Sequence, residues 1–242
     1  MGLMMQLKAL KENGFTLIEL MIAMTIGGLV LAGVSAAYHS QVRSHVTQQT
    51  VVDMNQNLRG AIYHISREVR MAGFDLTGNA NAGIQTAQSN LITISMDIHD
   101  NIDNDGDGIT DEFDEEGNSD GDTADTNETI TYDLSGGNLR RNTQPAALNI
   151  DALNFVYLDE DNNQLDDDGS GNVTTSIGDI RNVQITIVAK AGSEVPLLAR
   201  GYTNNKTYQN KQGTTILDLS LAPDNFRRRL LTAEVRCRNL GL

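Results

Sequence analysis

The chain has 242 residues, 39% of them hydrophobic, and a formal net charge of −14. That length supports one membrane anchor and one medium domain with its own core, not two large domains. The acidic balance offers no basic face to neutralise phosphates, which argues against nucleic acid as a partner of the main body. The single cysteine, Cys237, excludes an intrachain disulfide and is expected as a small buried hydrophobe in a late strand.

Residues 1–14 read as a short leader whose Lys8 and Lys11 hold the amino end in the cytoplasm, which leaves everything beyond the next segment extracytoplasmic. Loss of the leader removes two lysines and Glu12, so the charge falls from −14 to −15. From Phe15 to Tyr38 there are 24 residues whose only acid is Glu19, and the next full charge is Arg43. A helix rising about 1.5 Å per residue needs roughly 20 apolar residues to cross a bilayer, so residues 15–38 are predicted to span one. A carboxylate in that setting costs on the order of 3 kcal/mol and demands a partner, which makes Glu19 a functional candidate. A cleavable signal peptide, with Val34-Ser35-Ala36 as its small-residue site, is the alternative. It leaves Glu19 and the Gly14-Phe15 junction unexplained.

Gly14-Phe15-Thr16-Leu17-Ile18-Glu19-Leu20, set behind a basic leader and opening an apolar helix, resembles the processing motif of type IV prepilins and pseudopilins. The resemblance implies cleavage by a prepilin peptidase between Gly14 and Phe15, followed by N-methylation of the new Phe15 amine. It implies that Glu19, with Thr16 beside it, serves subunit register and assembly. It also implies partners: other minor and major pilins, and an inner-membrane assembly platform. Opposite charges about 4 Å apart gain roughly 4 kcal/mol at an effective dielectric near 20, enough for Glu19 to seek the Phe15 amine of a neighbouring subunit.

Residues 39–73 change from uniformly apolar to amphipathic, with Val42, Val46, Val51, Met54, Leu58, Ile62, Ile65 and Val69 mostly three to five apart. No proline precedes Pro145, so one helix is expected to continue from the span to about residue 72, with Gly73 as a left-handed cap. Gly27, Gly28 and Gly33 weaken its membrane half by up to about 1 kcal/mol each. Beyond Gly73, residues 74–242 read as a β-rich globular domain. Its strands are expected at 90–98, 129–134, 138–141, 150–158, 180–189, 214–219 and 230–238, with a hairpin turn at Ser135-Gly136-Gly137-Asn138. The fold class that follows is α+β: one antiparallel sheet packed on a long amino-terminal helix.

The anchors Arg70-Met71-Ala72-Gly73-Phe74, Phe155-Val156-Tyr157-Leu158-Asp159, Ile180-Arg181-Asn182-Val183 and Arg236-Cys237-Arg238-Asn239 resemble W-type minor pilins and the related J-type pseudopilins. That resemblance implies a low-abundance subunit that primes assembly or sits near a pilus tip. The subunit would first lie in the inner membrane with a periplasmic domain, then on the cell surface. A J-type pseudopilin of a secretion system and a membrane-anchored calcium-dependent adhesin are the alternatives.

Residues 97–133 form an acidic insertion with 15 acids and no Lys or Arg, a composition that cannot pack a core. Within it, Asp103, Asp105, Asp107, the Ile109 carbonyl, and Asp111 or Asp114 have the alternating oxygen spacing of a calcium loop, with Gly108 at the turn. A frame from Asn101 to Glu112 also fits. Asp159, Asp161, Asn163 and Asp167 make a second candidate, without a turn glycine and equally readable as a polar hairpin. Ca²⁺ is the one cofactor this suggests. Arg227-Arg228-Arg229 is expected as a solvated strand end. No nucleophile elbow, phosphate loop, paired metal histidines or Cys–His set is present, so no enzyme activity is expected.

Overall fold

The computed structural model describes residues 14–98, 121–124, 127–192 and 202–241. One helix, α1, runs over Leu17–Met71. By contacts the chain divides into two units, residues 1–48 and 49–242.

In the first unit every apolar side chain of α1 from Leu17 to Tyr38 is exposed except Gly27, which is half-buried. This is the one described helix long and apolar enough to cross a membrane. Val42 and Val46, expected on a packed face, are exposed here.

In the second unit Met54, Leu58, Ala61, Ile65 and Val69 of α1 are buried, at spacings of three and four, so that one stripe of the helix faces the core. Val51 and Ile62 pack at its margin. The helix stops as expected: Gly73 takes φ +79° and its amide reaches Ser95 O at 3.0 Å. A Cβ there would meet Leu240 Cδ2 at 2.6 Å, so a side chain is excluded by conformation and by space. Asn239 Nδ2 donates to Met71 O at 3.3 Å, tying the carboxy-terminal tail to the helix end.

The expected antiparallel β domain is present, and among the described residues it is built from three sheets. β1 (Ile84–Ala87), β2 (Ile92–Ser95), β3 (Thr129–Ser135), β4 (Asn138–Arg141) and β5 (Gln144–Ala147) form an antiparallel meander in sequence order. β6 (Ile150–Leu158), β7 (Gln164–Leu165), β8 (Asn182–Lys190) and β11 (Arg228–Arg236) form a second sheet in the order β11-β8-β6-β7. β9 (Thr207–Gln209) pairs with β10 (Thr215–Asp218). Gly136 and Gly137 both have positive φ, as a two-residue hairpin between β3 and β4 requires.

The main core joins α1 to both large sheets through Leu58, Ile65, Ile92, Ile130, Tyr132, Phe155 and Ile185. A second cluster, Ala152, Val188, Tyr208 and Leu219, lies where β9 and β10 cover β6 and β8. Those two strands are therefore buried on both faces and read as near-continuous apolar runs. Cys237 is buried as expected, and burial pushes its thiol up to about 12.

Two expectations about charge change. The end of the acidic insertion is structural: Thr129 to Asp133 belong to β3, and Ile130 and Tyr132 are core residues. Alternation of small or apolar residues with polar ones there supplies one buried face despite the acidic flank. Arg228 is not solvated. Its side chain is 5% exposed and its guanidinium lies between two acids, with Nε to Asp151 Oδ2 at 2.5 Å and both terminal nitrogens to Asp224 at 2.6 Å.

Candidate functional site at the amino terminus

Gly14 and Phe15 stand clear of the rest of the described chain. Phe15 is 92% exposed, and no atom lies within 4 Å of a Cβ built on Gly14. The peptide between them is therefore open to an enzyme.

Just beyond, Thr16 and Glu19 close on one another across the first turn of α1. Thr16 N and Thr16 Oγ1 donate to Glu19 Oε2 at 2.8 and 2.9 Å, and Glu19 N donates to Thr16 Oγ1 at 3.3 Å. Each side chain satisfies the other's backbone amide, which is a capping box. Sequence reasoning assigned both residues to assembly and overlooked this local role, although Thr16-Leu17-Ile18-Glu19 ahead of an apolar run carries its signal. Only Oε2 is engaged. Oε1 accepts no hydrogen bond from the described residues, so the cap and an outside cation can use different oxygens of one carboxylate.

The proposed calcium loop, Asp103, Asp105, Asp107, Ile109, Asp111 and Asp114, lies outside the described residues. The second candidate is described, and its groups do not converge. Asp159 accepts Asn163 N at 2.8 Å and Asn163 Nδ2 at 3.0 Å, the geometry of a polar turn between β6 and β7. Asp167 turns to the opposite strand of its loop, accepting the amides of Thr174, Thr175 and Ser176 at 2.6 to 3.1 Å. Those amides hold its carboxyl well below the usual range. Among the described residues no group of three or more His, Cys, Asp or Glu is arranged to hold a metal ion.

A last polar cluster joins helix to sheet. Tyr132 Oη donates to Glu68 Oε2 at 2.6 Å and Arg141 Nε to Glu68 Oε1 at 3.0 Å, so β3 and β4 both grip α1. Burial, reinforced by Glu68, keeps the Tyr132 phenol protonated. This is a clamp between elements, since none of its groups is left to react.

Residues 10–35 match the model of the prokaryotic N-terminal methylation motif. No curated protein matches the chain. A type IV-like pilin from Thermus thermophilus is similar in structure, with 14% identity and a TM-score of 0.45 over 77% of this chain and 98% of that chain. The family match therefore describes the amino-terminal segment, residues 10–35.

Proposed function

We propose that this chain is a minor pilin of a type IV pilus: an inner-membrane prepilin, cleaved after Gly14, methylated on Phe15 and incorporated into a fibre with other pilins. The observation that carries the reading is the methylation motif at residues 10–35 running directly into an exposed apolar helix. A stretch that is apolar on every side requires a bilayer, or the packed helices of neighbouring subunits, around it. The accessible Gly14-Phe15 peptide suits a peptidase. The chemistry is that of assembly, in which a mature amine at Phe15 is neutralised by Glu19 of a neighbour.

Mass spectrometry of the mature amino terminus tests the route. Methyl-Phe from position 15 is expected. A terminus beyond Ala37 would instead assign the segment to a signal peptide and end this reading.

The acidic stretch is proposed, on its spacing, as a Ca²⁺ loop. Calorimetric titration of the full-length protein in detergent is expected to show millimolar or tighter binding that Asp103→Ala with Asp107→Ala abolishes. Unchanged affinity in the double variant would reject those ligands.

A further inference from the structure

Within residues 49–71, the side of α1 turned away from the core carries Val52, Gln56, Arg59, Tyr63, Arg67 and Arg70, every one exposed. At 3.6 residues per turn they fall within an arc of about 80°, opposite the buried stripe. Tyr63 is 65% exposed. No acid lies on this arc, and none of its three arginines enters an ion pair among the described residues. In a chain of net charge −14, three guanidinium groups around an exposed tyrosine, with no acid on the same arc, make this helical face locally basic. Arg and Tyr are also the side chains that most often anchor protein interfaces.

The counterpart lies on the same unit but on other elements. Between the end of β6 and residue 168 stand Asp159, Glu160, Asp161, Asp166, Asp167 and Asp168, with no Lys or Arg among them. These carboxylates are organised in advance. Asp159 is bonded to Asn163, Asp167 to residues 174–176, and Asp168 Oδ2 accepts Asn172 Nδ2 at 2.7 Å. Those bonds hold all three carboxyls below their ordinary range, so the surface stays anionic under mildly acid conditions.

We infer that the Arg59–Tyr63–Arg67–Arg70 face of α1 docks onto the acidic β6–β7 turn and following loop of a second copy of this chain. The two surfaces differ and belong to separate elements, so the contact is head-to-tail and leaves one of each surface free at the ends of a series. Charge complementarity steers the encounter and fixes its register, which makes the contact salt-sensitive. The inference rests on the fibre-subunit reading and names a partner surface for it.

The test uses the full-length chain in native membranes, with Gln56→Cys and Glu160→Cys in one polypeptide and a bismaleimide cross-linker. A ladder of dimers, trimers and higher species is expected, while either single cysteine yields monomer. Arg59→Glu with Arg67→Glu and Arg70→Glu is expected to reduce the ladder about tenfold or more. Co-expression with a chain carrying Asp161→Lys, Asp166→Lys and Asp168→Lys is expected to restore it, which no unfolded variant can do. Absence of a ladder, its survival in the triple-Glu chain, failure of the charge-reversed pair to restore it, or a dimer from one cysteine alone would each overturn the contact. Absence of the ladder from material that carries methyl-Phe would overturn this contact and leave the fibre reading standing. A ladder in material lacking methyl-Phe would do the reverse.

Discussion

Glu19→Ala is expected to remain in the inner membrane, still cleaved after Gly14, and to drop about a thousandfold in fibres sheared from the cell. The magnitude follows from an ion pair of about 4 kcal/mol at 4 Å and an effective dielectric near 20, at 1.36 kcal/mol per factor of ten. On the proposed reading Glu19 has two roles, because Oε2 also closes the first turn of α1 with Thr16. Glu19→Gln separates them. The amide oxygen still accepts from Thr16 and preserves the cap, but it carries no charge. If neutralisation of the neighbour's Phe15 amine governs assembly, Gln is as defective as Ala. Immunoblots of sheared fibres and of the membrane fraction read both. Wild-type incorporation of the Gln variant would reduce Glu19 to a helix cap, and wild-type incorporation of both would remove it from assembly.

Arg228→Met is expected to cost the β-rich domain about 3 kcal/mol at neutral pH, the low end for leaving a buried charge without its mate. The Arg228 side chain is 5% exposed and its guanidinium serves two carboxylates, Asp151 and Asp224, from β6 and the segment ahead of β11. Lys190 Nζ reaches Asp151 Oδ1 at 3.0 Å, so Asp151 keeps one cation in the variant. Asp224 does not. Arg228→Lys should recover only part of the loss, because one ammonium cannot fork to both acids. The pH dependence carries the sign of a depressed carboxyl. The hydrogen bonds from Arg228, more than any other influence, lower the Asp224 pKa in the folded state. The unfolded chain therefore binds more protons between the folded value and about 3.8, and stability rises with pH across that window. The contribution is complete above about pH 4 and is lost as pH falls through the folded pKa, so the gap between wild type and Arg228→Met should narrow in acid. Urea unfolding followed by far-ultraviolet circular dichroism, at pH 7 and near pH 3, measures it. The chain has no tryptophan to report by fluorescence. A gap independent of pH would show that Arg228 acts by packing alone.

Both experiments concern features that were unequally visible in the linear chain. The amino-terminal motif, the apolar span, the Gly73 cap and the Gly136-Gly137 hairpin depend on residues within a few positions of each other. They could be read directly. The long strands β6 and β8 were equally plain, since each is a nine-residue stretch rich in β-branched, aromatic and other apolar residues with no glycine or proline. The short ones were not: β1, β5, β7 and β9 have two to four residues, and β5 contains Pro145, which an edge strand tolerates but strand propensity discourages.

The covalent order of residues by itself determined which stretch is apolar and long enough to cross a membrane, where the methylation motif lies and where the helix stops, because helical rise and backbone sterics act locally. Only the tertiary structure decided that the β residues divide into three sheets rather than one, since register such as Ile187 opposite Leu153 and Leu231 is chosen by burial across the sheet. Only it decided that Arg228 is interior while Arg227 stacks on Tyr202 at 4.5 Å, because the carboxylate that receives Arg228 Nε lies 77 residues away. And only it separated cations that meet an acid, such as Arg141 at Glu68 and Arg228 at Asp224, from exposed ones such as Arg59, Arg67 and Arg70, a distinction that depends on which acids folding brings within reach.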